Sequence, residues 1–269
     1  MDIFLISGKI YKVPQPVNQS TNQLINYTLH LADNALIMGH RLSEWTGHGP
    51  ILEQDIAISN IALDLIGQAR NFYQYAALLK GNATEDDLAY LRDASEFKNI
   101  LLVEQPNGDW AKTIVKLFFF STYQYFLYQK LVNSADIQIA AISEKSLKEV
   151  TYHVRWSSEW VIRLGDGTAE SKSRMEKALA EMWTFTGEFF LPSIDESAAT
   201  QNQTGVDVAT LQDGWENKVK TILEEATLSL PTTSITQTSS GKEGTHSEHL
   251  EKLLQDMQYL QRTYPGCEW

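Results

Sequence analysis

The chain has 269 residues, of which 43% are hydrophobic, and a formal net charge of -12 at pH 7. A surface that binds nucleic acid needs clustered lysine and arginine, so this charge balance argues against a nucleic-acid partner. The single cysteine, Cys267, excludes an intramolecular disulfide and a cysteine-based zinc or iron–sulfur site, and it favours a cytoplasmic protein.

The first 19 residues carry one short apolar patch, at positions 3–6. The patch has no basic leader and is far too short for a signal sequence or a membrane span, so we expect no membrane partner. We expect residues 1–19 to form a flexible or strand-like extension, and residues 20–269 to form one helical domain.

Apolar residues recur at three- and four-residue spacing through most of that domain, which predicts amphipathic helices. The four long predicted helices cover about 22–45, 53–79, 109–132 and 137–164. Asp109 is the predicted N-cap of the third of these helices. Further helices are predicted at 85–92, 169–190, 207–227 and from 245 onward, after an exposed Ser/Thr-rich connector at 228–245.

The class of the fold follows from these patterns. No long alternating β-branched segment and no glycine-rich phosphate loop competes with the helices. The four long helices arrive as two pairs, which is typical of a bundle with a crossover between the pairs. We therefore predict an all-α, ferritin-like bundle of four core helices with additional C-terminal helices.

Ferritin-like di-iron proteins place a carboxylate on one helix and Glu-x-x-His on the next, twice over, and this pattern is incomplete in the first helix pair. Asp33 and Asp64 are predicted to face each other inside the bundle. The residue three positions after Asp64 is Gly67, which has no side chain to bind iron. The neighbouring Gln68 is a poor iron ligand by comparison.

The second pair departs further from the pattern. Glu149 is followed three residues later by Tyr152, and His153 comes one position too late, rotated by about 100° around the helix. Residues 110–135 contain no Asp, Glu or His at all. We therefore predict no metal, no cofactor and no catalytic residue.

Our hypothesis is that the former metal-site positions persist as a polar network inside the bundle, with Arg70 as a further hydrogen-bond partner. For each acid taken alone, an ordinary solvated carboxylate is the competing interpretation. The predicted vestigial positions are Asp33, Asp64, Gly67, Gln68, Glu149, Tyr152 and His153.

Several other chemistry-bearing residues have simpler interpretations. The one literal Glu-x-x-His, from Glu243 to His246, lies where Thr245 is expected to cap the last helix. His30, His40 and His48 have no partner at ligand spacing and are expected to be packing or surface residues. An aromatic run at 118–128 suggests that the third helix is buried on several sides, as at a contact between subunits.

The sequence resembles the PaaC family, the structural C component of ring-1,2-phenylacetyl-CoA epoxidase, a bacterial multicomponent oxygenase. The resemblance spans about residues 22–269 and is carried by blocks at 65–72, 102–109, 148–153 and 257–266. Residues before about 18 look unlike the family core.

This resemblance implies a ferritin-like subunit that pairs with a homologous catalytic subunit, which holds the di-iron centre and acts on phenylacetyl-CoA. In the family, dioxygen and electrons from a separate reductase epoxidise the aromatic ring. The implied partners are the catalytic subunit and the other subunits of the complex, with a homodimer considered for the chain alone. Two alternatives remain: a di-iron enzyme with an unorthodox ligand set that includes Glu181 or Glu188, and an unrelated helical binding module.

Overall fold

The computed structural model describes residues 3–6, 9–12, 19–232 and 240–267. Strand β1 (Ile3–Ile6) pairs with β2 (Lys9–Lys12) in an antiparallel hairpin. The α-helices in the described residues are α1 Gln19–Ser43, α2 Leu52–Lys80, α3 Glu85–Tyr90, α4 Leu101–Glu104, α5 Trp110–Leu131, α6 Ile137–Gly165, α7 Ala169–Trp183, α8 Ile194–Gln201, α9 Gln212–Glu225 and α10 Glu248–Thr263. None of these helices is long and apolar enough to cross a membrane, over the described ranges.

Local capping residues set the ends of the long helices. The Asp109 carboxylate accepts a hydrogen bond from the Lys112 backbone N–H at 3.0 Å, which makes it the N-cap of α5 as predicted. Asp136 does the same for α6. Gly81 ends α2 in the left-handed conformation, with a φ of 75° that glycine adopts without steric cost.

The long helices form two pairs, α1 with α2 and α5 with α6, and the pairs meet where α2 contacts α6. Helices α7 and α9 cover α5 and α6, α8 packs on α1, and α10 packs on α3 and α4. One continuous apolar core runs through this assembly. The structure thereby confirms the predicted all-α, ferritin-like bundle.

The shorter elements differ from the prediction. The helix predicted at 169–190 ends at Trp183 and continues as a 3-10 turn, and helix α8 was not predicted. Helix α10 begins later than expected, because its N-cap is Ser247, which accepts from the His249 N–H, rather than Thr245. Elements of one or two turns carry too few apolar repeats to show a helical period.

The prediction that the connector at 228–245 is exposed is wrong at the C-terminal end of this segment. Gly241 and Lys242 are buried, and the Lys242 Nζ donates to the Glu196 carboxylate at 3.0 Å. Charged groups are buried only when they are paired, and this partner lies 46 residues earlier in the chain. Residues 233–239 of the connector lie outside the described residues. The flexibility of residues 1–19 stays a prediction.

The aromatic helix α5 is buried by the chain itself. Trp215 of α9 donates its indole N–H to the Phe119 carbonyl at 3.0 Å, and the two rings lie 5.4 Å apart. Helices α6, α7 and α9 all contact α5. The predicted burial of this helix on several sides is confirmed, and intramolecular packing accounts for it; contact with another subunit stays a prediction.

Candidate functional site

A row of side-chain hydrogen bonds crosses the contact between α2 and α6, and we call it the polar ladder. Its four pairs run along the two antiparallel helices, and in each pair a donor on one side reaches an acceptor on the other. The pairs are Trp160 to Gln54 at 2.9 Å, His153 to Asp64 at 3.0 Å, Gln68 to Glu149 at 2.9 Å and Tyr75 to Asp136 at 2.5 Å.

The two central pairs of the ladder contain four of the predicted vestigial positions. Asp64 and Gln68 are four residues apart on α2, as Glu149 and His153 are on α6. Residues at this spacing lie one turn apart on the same helix face, so two antiparallel helices present them as two adjacent pairs. His153 and Gln68 are buried, while the carboxylates of Asp64 and Glu149 are partly accessible to solvent.

Asp33 does not join these residues. Its carboxylate accepts from the Tyr73 hydroxyl at 2.6 Å, from the Lys98 backbone N–H at 2.8 Å and from the Arg92 guanidinium. On the same helix, a Cβ built on Gly39 would lie 3.2 Å from the carbonyl oxygen of Ala62. Asp33 therefore lies several residues away from the level of Asp64 along the α1–α2 pair, and the prediction that the two acids face each other is wrong.

Arg92, which the sequence patterns did not identify, is the counter-ion of Asp33. Its guanidinium carbon lies 4.2 Å from the centre of the Phe97 ring, and the whole group is buried. Burial opposes its charge, but Asp33 outweighs that effect and raises the pKa of Arg92. Burial and the Asp33 carboxylate also raise the pKa of Tyr73, which stays a neutral donor.

Three predicted positions take no part in either network. A Cβ built on Gly67 would meet nothing within 4 Å, so open space surrounds this residue. The Tyr152 side chain is exposed on the outer side of α6. Arg70 is exposed as well and lies 3.7 Å from Glu85, so it is not the partner that we predicted for the vestigial acids.

Helix α5 reaches the ladder through hydroxyl and amide groups. The Tyr128 hydroxyl lies 3.4 Å from the Gln68 side-chain oxygen, and Gln124 lies 3.4 Å from the same hydroxyl. Burial raises the pKa of Tyr128, so its phenol is neutral and can donate at physiological pH. Within the described residues, the Nδ1 atom of His153 is buried without a hydrogen-bond partner.

These donors do not fit a di-iron centre, which needs carboxylates from four helices and two imidazoles. The ladder offers one imidazole and two carboxylates at its centre, and each is already bonded to another side chain. Over the ranges that the structure describes, no three His, Cys, Asp or Glu side chains are grouped for metal binding. Glu181 pairs with Lys112, and Glu188 accepts backbone N–H groups from Leu101 and Gly241.

The histidines outside the ladder are buried in packing contacts, exposed at the surface or hydrogen-bonded to nearby groups. His30 is buried and contacts the Lys98 carbonyl at 2.7 Å, and His48 is exposed in the loop before α2. Burial lowers the pKa of His40. The literal Glu-x-x-His does not converge on one point, because Glu243 accepts from the Ile194 N–H. His246 instead contacts Glu104 at 2.9 Å.

Comparison with known proteins shows the family to which the chain belongs. The family model described as phenylacetic acid catabolic protein matches residues 10–269. The C component of the 1,2-phenylacetyl-CoA epoxidase of Escherichia coli (strain K12) is 48% identical over 248 residues, which cover 92% of this chain and 100% of that protein. The family match includes residues 10–17, so the predicted departure from the family before about 18 is partly wrong.

The same comparison removes the alternative of an unrelated helical binding module. The relative is 48% identical over 92% of this chain, and the family match at residues 10–269 includes every helix of the bundle. The chain belongs to the phenylacetic acid catabolic protein family.

Proposed function

We propose that this chain is a non-catalytic structural subunit of a cytoplasmic oxygenase that epoxidises phenylacetyl-CoA, and that it binds and stabilises the homologous di-iron catalytic subunit. The observation that carries the proposal is the pairing within the polar ladder. Asp64 bonds to His153 and Gln68 bonds to Glu149, where a di-iron protein would direct such groups at metal. The relative is named as part of a phenylacetyl-CoA epoxidase, which supports the choice of complex.

Stabilisation of a partner follows from binding to its folded state. A protein that binds only the folded form of its partner stabilises that form by about 2.7 kcal/mol at a concentration one hundred times the Kd. The ladder contributes by holding α2 against α6, so that this subunit presents one rigid surface. The chain's own residues bind and orient, and they transfer no proton or electron.

The test replaces the two central carboxylates in the assembled oxygenase by neutral amides of nearly the same shape. The Asp64→Asn and Glu149→Gln double variant keeps an oxygen acceptor at both positions and removes both potential anionic ligands. We expect the iron content of the complex to be unchanged and turnover of phenylacetyl-CoA to stay within about twofold of the wild type. The matched control is Glu159→Gln, at an exposed position on α6, the helix that carries Glu149.

Two further measurements complete the test. Anaerobic titration of the isolated chain with ferrous iron should give no stoichiometric, saturable site. The catalytic subunit should show a higher unfolding temperature when this chain is present. Loss of iron or of turnover in the double variant would contradict the non-catalytic assignment, and absence of any effect on the partner's unfolding would contradict the stabilising role.

A further inference from the structure

A small pocket of about 100 Å³ lies between α7, α9 and the 3-10 turn that follows α7. We call it the aromatic pocket, because three ring side chains line it. They are Trp183, Phe190 and Trp215. Gln212 and Glu216, which lie one turn apart on α9, form its polar side. None of these residues belongs to the polar ladder, so the pocket is a separate feature of the fold.

Packing inside the protein holds the three rings in place. The ring centre of Trp215 lies 5.7 Å from that of Trp183 and 5.5 Å from that of Phe190. The indole N–H of Trp215 donates to a backbone carbonyl of α5, and the Thr186 hydroxyl donates to the Trp183 carbonyl at 2.9 Å. These two donors are therefore used within the protein, and they are not available to a ligand.

Glu216 is the one charged residue that lines the aromatic pocket. Its carboxylate accepts from the neutral Gln212 amide at 2.7 Å, and it forms no ion pair within the described part of the chain. Lys220, one turn further along α9, approaches Glu224 instead, at 3.9 Å. The pocket therefore carries a negative charge that no neighbouring side chain neutralises.

Three aromatic rings beside one carboxylate select the charge of a ligand. The face of an aromatic ring is negative, so it attracts a cation and repels an anion, and the charge of Glu216 acts in the same direction. Ring surfaces replace the hydrogen bonds of water poorly, so an ammonium ion with N–H groups would lose hydrogen bonds when it enters. A fully methylated ammonium ion has no N–H group and avoids this loss.

The size of the pocket limits the part of a ligand that it can hold. Its volume corresponds to that of about three water molecules at about 30 Å³ each. This space suits a head group of a few non-hydrogen atoms and excludes a fused ring system. Gln212 is exposed at the polar side, so a longer ligand could extend from the pocket into solvent.

We propose that the aromatic pocket binds a methylated ammonium ion, with its cationic head against the three rings and its charge beside the Glu216 carboxylate. The ligand class is that of small quaternary ammonium compounds. The proposal rests on the residues of α7, α9 and the turn between them, and it does not depend on the proposed function.

Titration of the full chain with tetramethylammonium chloride tests the site. Binding is followed by the ¹H–¹⁵N signals of the tryptophan indole groups, and Trp183→Phe identifies the signal of Trp183. We expect this signal to shift saturably, with a Kd of about 10 mM or lower. Tert-butanol has a similar shape and no charge, so it should bind about threefold to thirtyfold more weakly. Sodium chloride at matched concentration controls for ionic strength.

Two substitutions separate the contribution of the charge from that of the rings. Glu216→Gln keeps the shape and an oxygen acceptor but removes the charge, and Phe190→Leu removes one ring. Each should raise the Kd by about threefold to thirtyfold. The matched control is Glu225→Gln, at an exposed position on α9 outside the pocket, which should leave the Kd unchanged. Circular dichroism checks that all three variants fold.

Three results would overturn the proposal. The first is no saturable shift up to about 100 mM tetramethylammonium. The second is equal affinity for tetramethylammonium and tert-butanol, because the pocket would then be an apolar crevice without selectivity for charge. The third is an unchanged Kd in Glu216→Gln, which would place the bound cation elsewhere on this acidic protein.

Discussion

Some ionisable side chains buried in this protein have a partner of opposite charge, and others have only neutral partners. Asp33 with Arg92, and Glu196 with Lys242, are ion pairs in which both partners are removed from solvent. Burial by itself raises the pKa of Glu196, but Lys242 outweighs it and holds the pKa of this carboxyl well below its usual range. Removing one partner of a buried pair costs about 3–5 kcal/mol, so these pairs constrain the fold strongly.

Lys116 is the contrasting case, because its hydrogen-bond acceptors are neutral. Its side-chain Nζ donates to the Gln105 carbonyl at 2.7 Å and to the Asn107 side-chain oxygen at 3.0 Å, and the side chain is fully buried. Burial, reinforced by the charge of Arg41, lowers the pKa of Lys116 well below its ordinary value of 10.5. In the unfolded chain the same amine takes up a proton already as the pH falls through that ordinary value.

We therefore predict that Lys116 makes stability depend on alkaline pH. As the pH falls from 10.5 the unfolded chain binds a proton that the folded chain does not, so the wild type loses stability toward neutral pH. Lys116→Met has no such proton, and the buried tyrosines titrate alike in both proteins. The free energy of unfolding of the wild type minus that of the variant, from urea titrations, should increase between pH 7 and 10.5. A constant difference would contradict the prediction.

At the scale of single elements, helix α10 is attached to the bundle by a small set of polar contacts. His246, just before the helix, contacts Glu104 at 2.9 Å and the Phe97 carbonyl at 2.9 Å. Glu104 also accepts the Ser247 N–H, which ties the N-cap of α10 to the end of α4. Arg41 completes the attachment by donating to the carbonyls of Glu104 and His249.

The His246 contact predicts that α10 loosens as the pH rises. Burial alone would lower the pKa of His246, but Glu104 raises it above the ordinary 6.5 through its hydrogen bond and charge. The resulting stabilisation is complete below 6.5 and is lost as the pH rises through the folded-state pKa. Amide exchange corrected for intrinsic rates should show protection of α10 falling from about pH 6 to about pH 8.5. His246→Gln should remove this dependence, while the exposed His48→Gln should keep it; an unchanged dependence in His246→Gln would refute the assignment.

At the scale of the whole molecule, two helix pairs share one seam, and the polar ladder lies along it. The chain as a whole carries a net charge of -12. Acidic surfaces repel each other at long range, and salt weakens this repulsion because the screening length is only about 8 Å at an ionic strength of about 0.15 M.

The long helices were predictable because their signals are local. Asp109 accepts its capping hydrogen bond from the N–H group of Lys112, only three residues further along the chain. The apolar repeat of each long helix likewise lies within the segment that forms the helix. The pairing of Asp64 and Gln68 with His153 and Glu149 was partly predictable for the same reason, since each half is an i, i+4 pair on one helix. The match between the halves required the antiparallel register of α2 and α6.

What the sequence by itself determined is the all-α class, the four long helices and the shortage of iron ligands, because each of these depends on residue types at short spacing. Only the tertiary structure decided that Asp33 bonds to Arg92, 59 residues away, and that Lys242 is buried against Glu196. Such partners meet when non-adjacent segments pack together, and a buried charge must find its counter-charge wherever packing places one. The separation of Asp33 from the ladder has the same cause, since the axial alignment of α1 on α2 is set by side-chain packing along both helices.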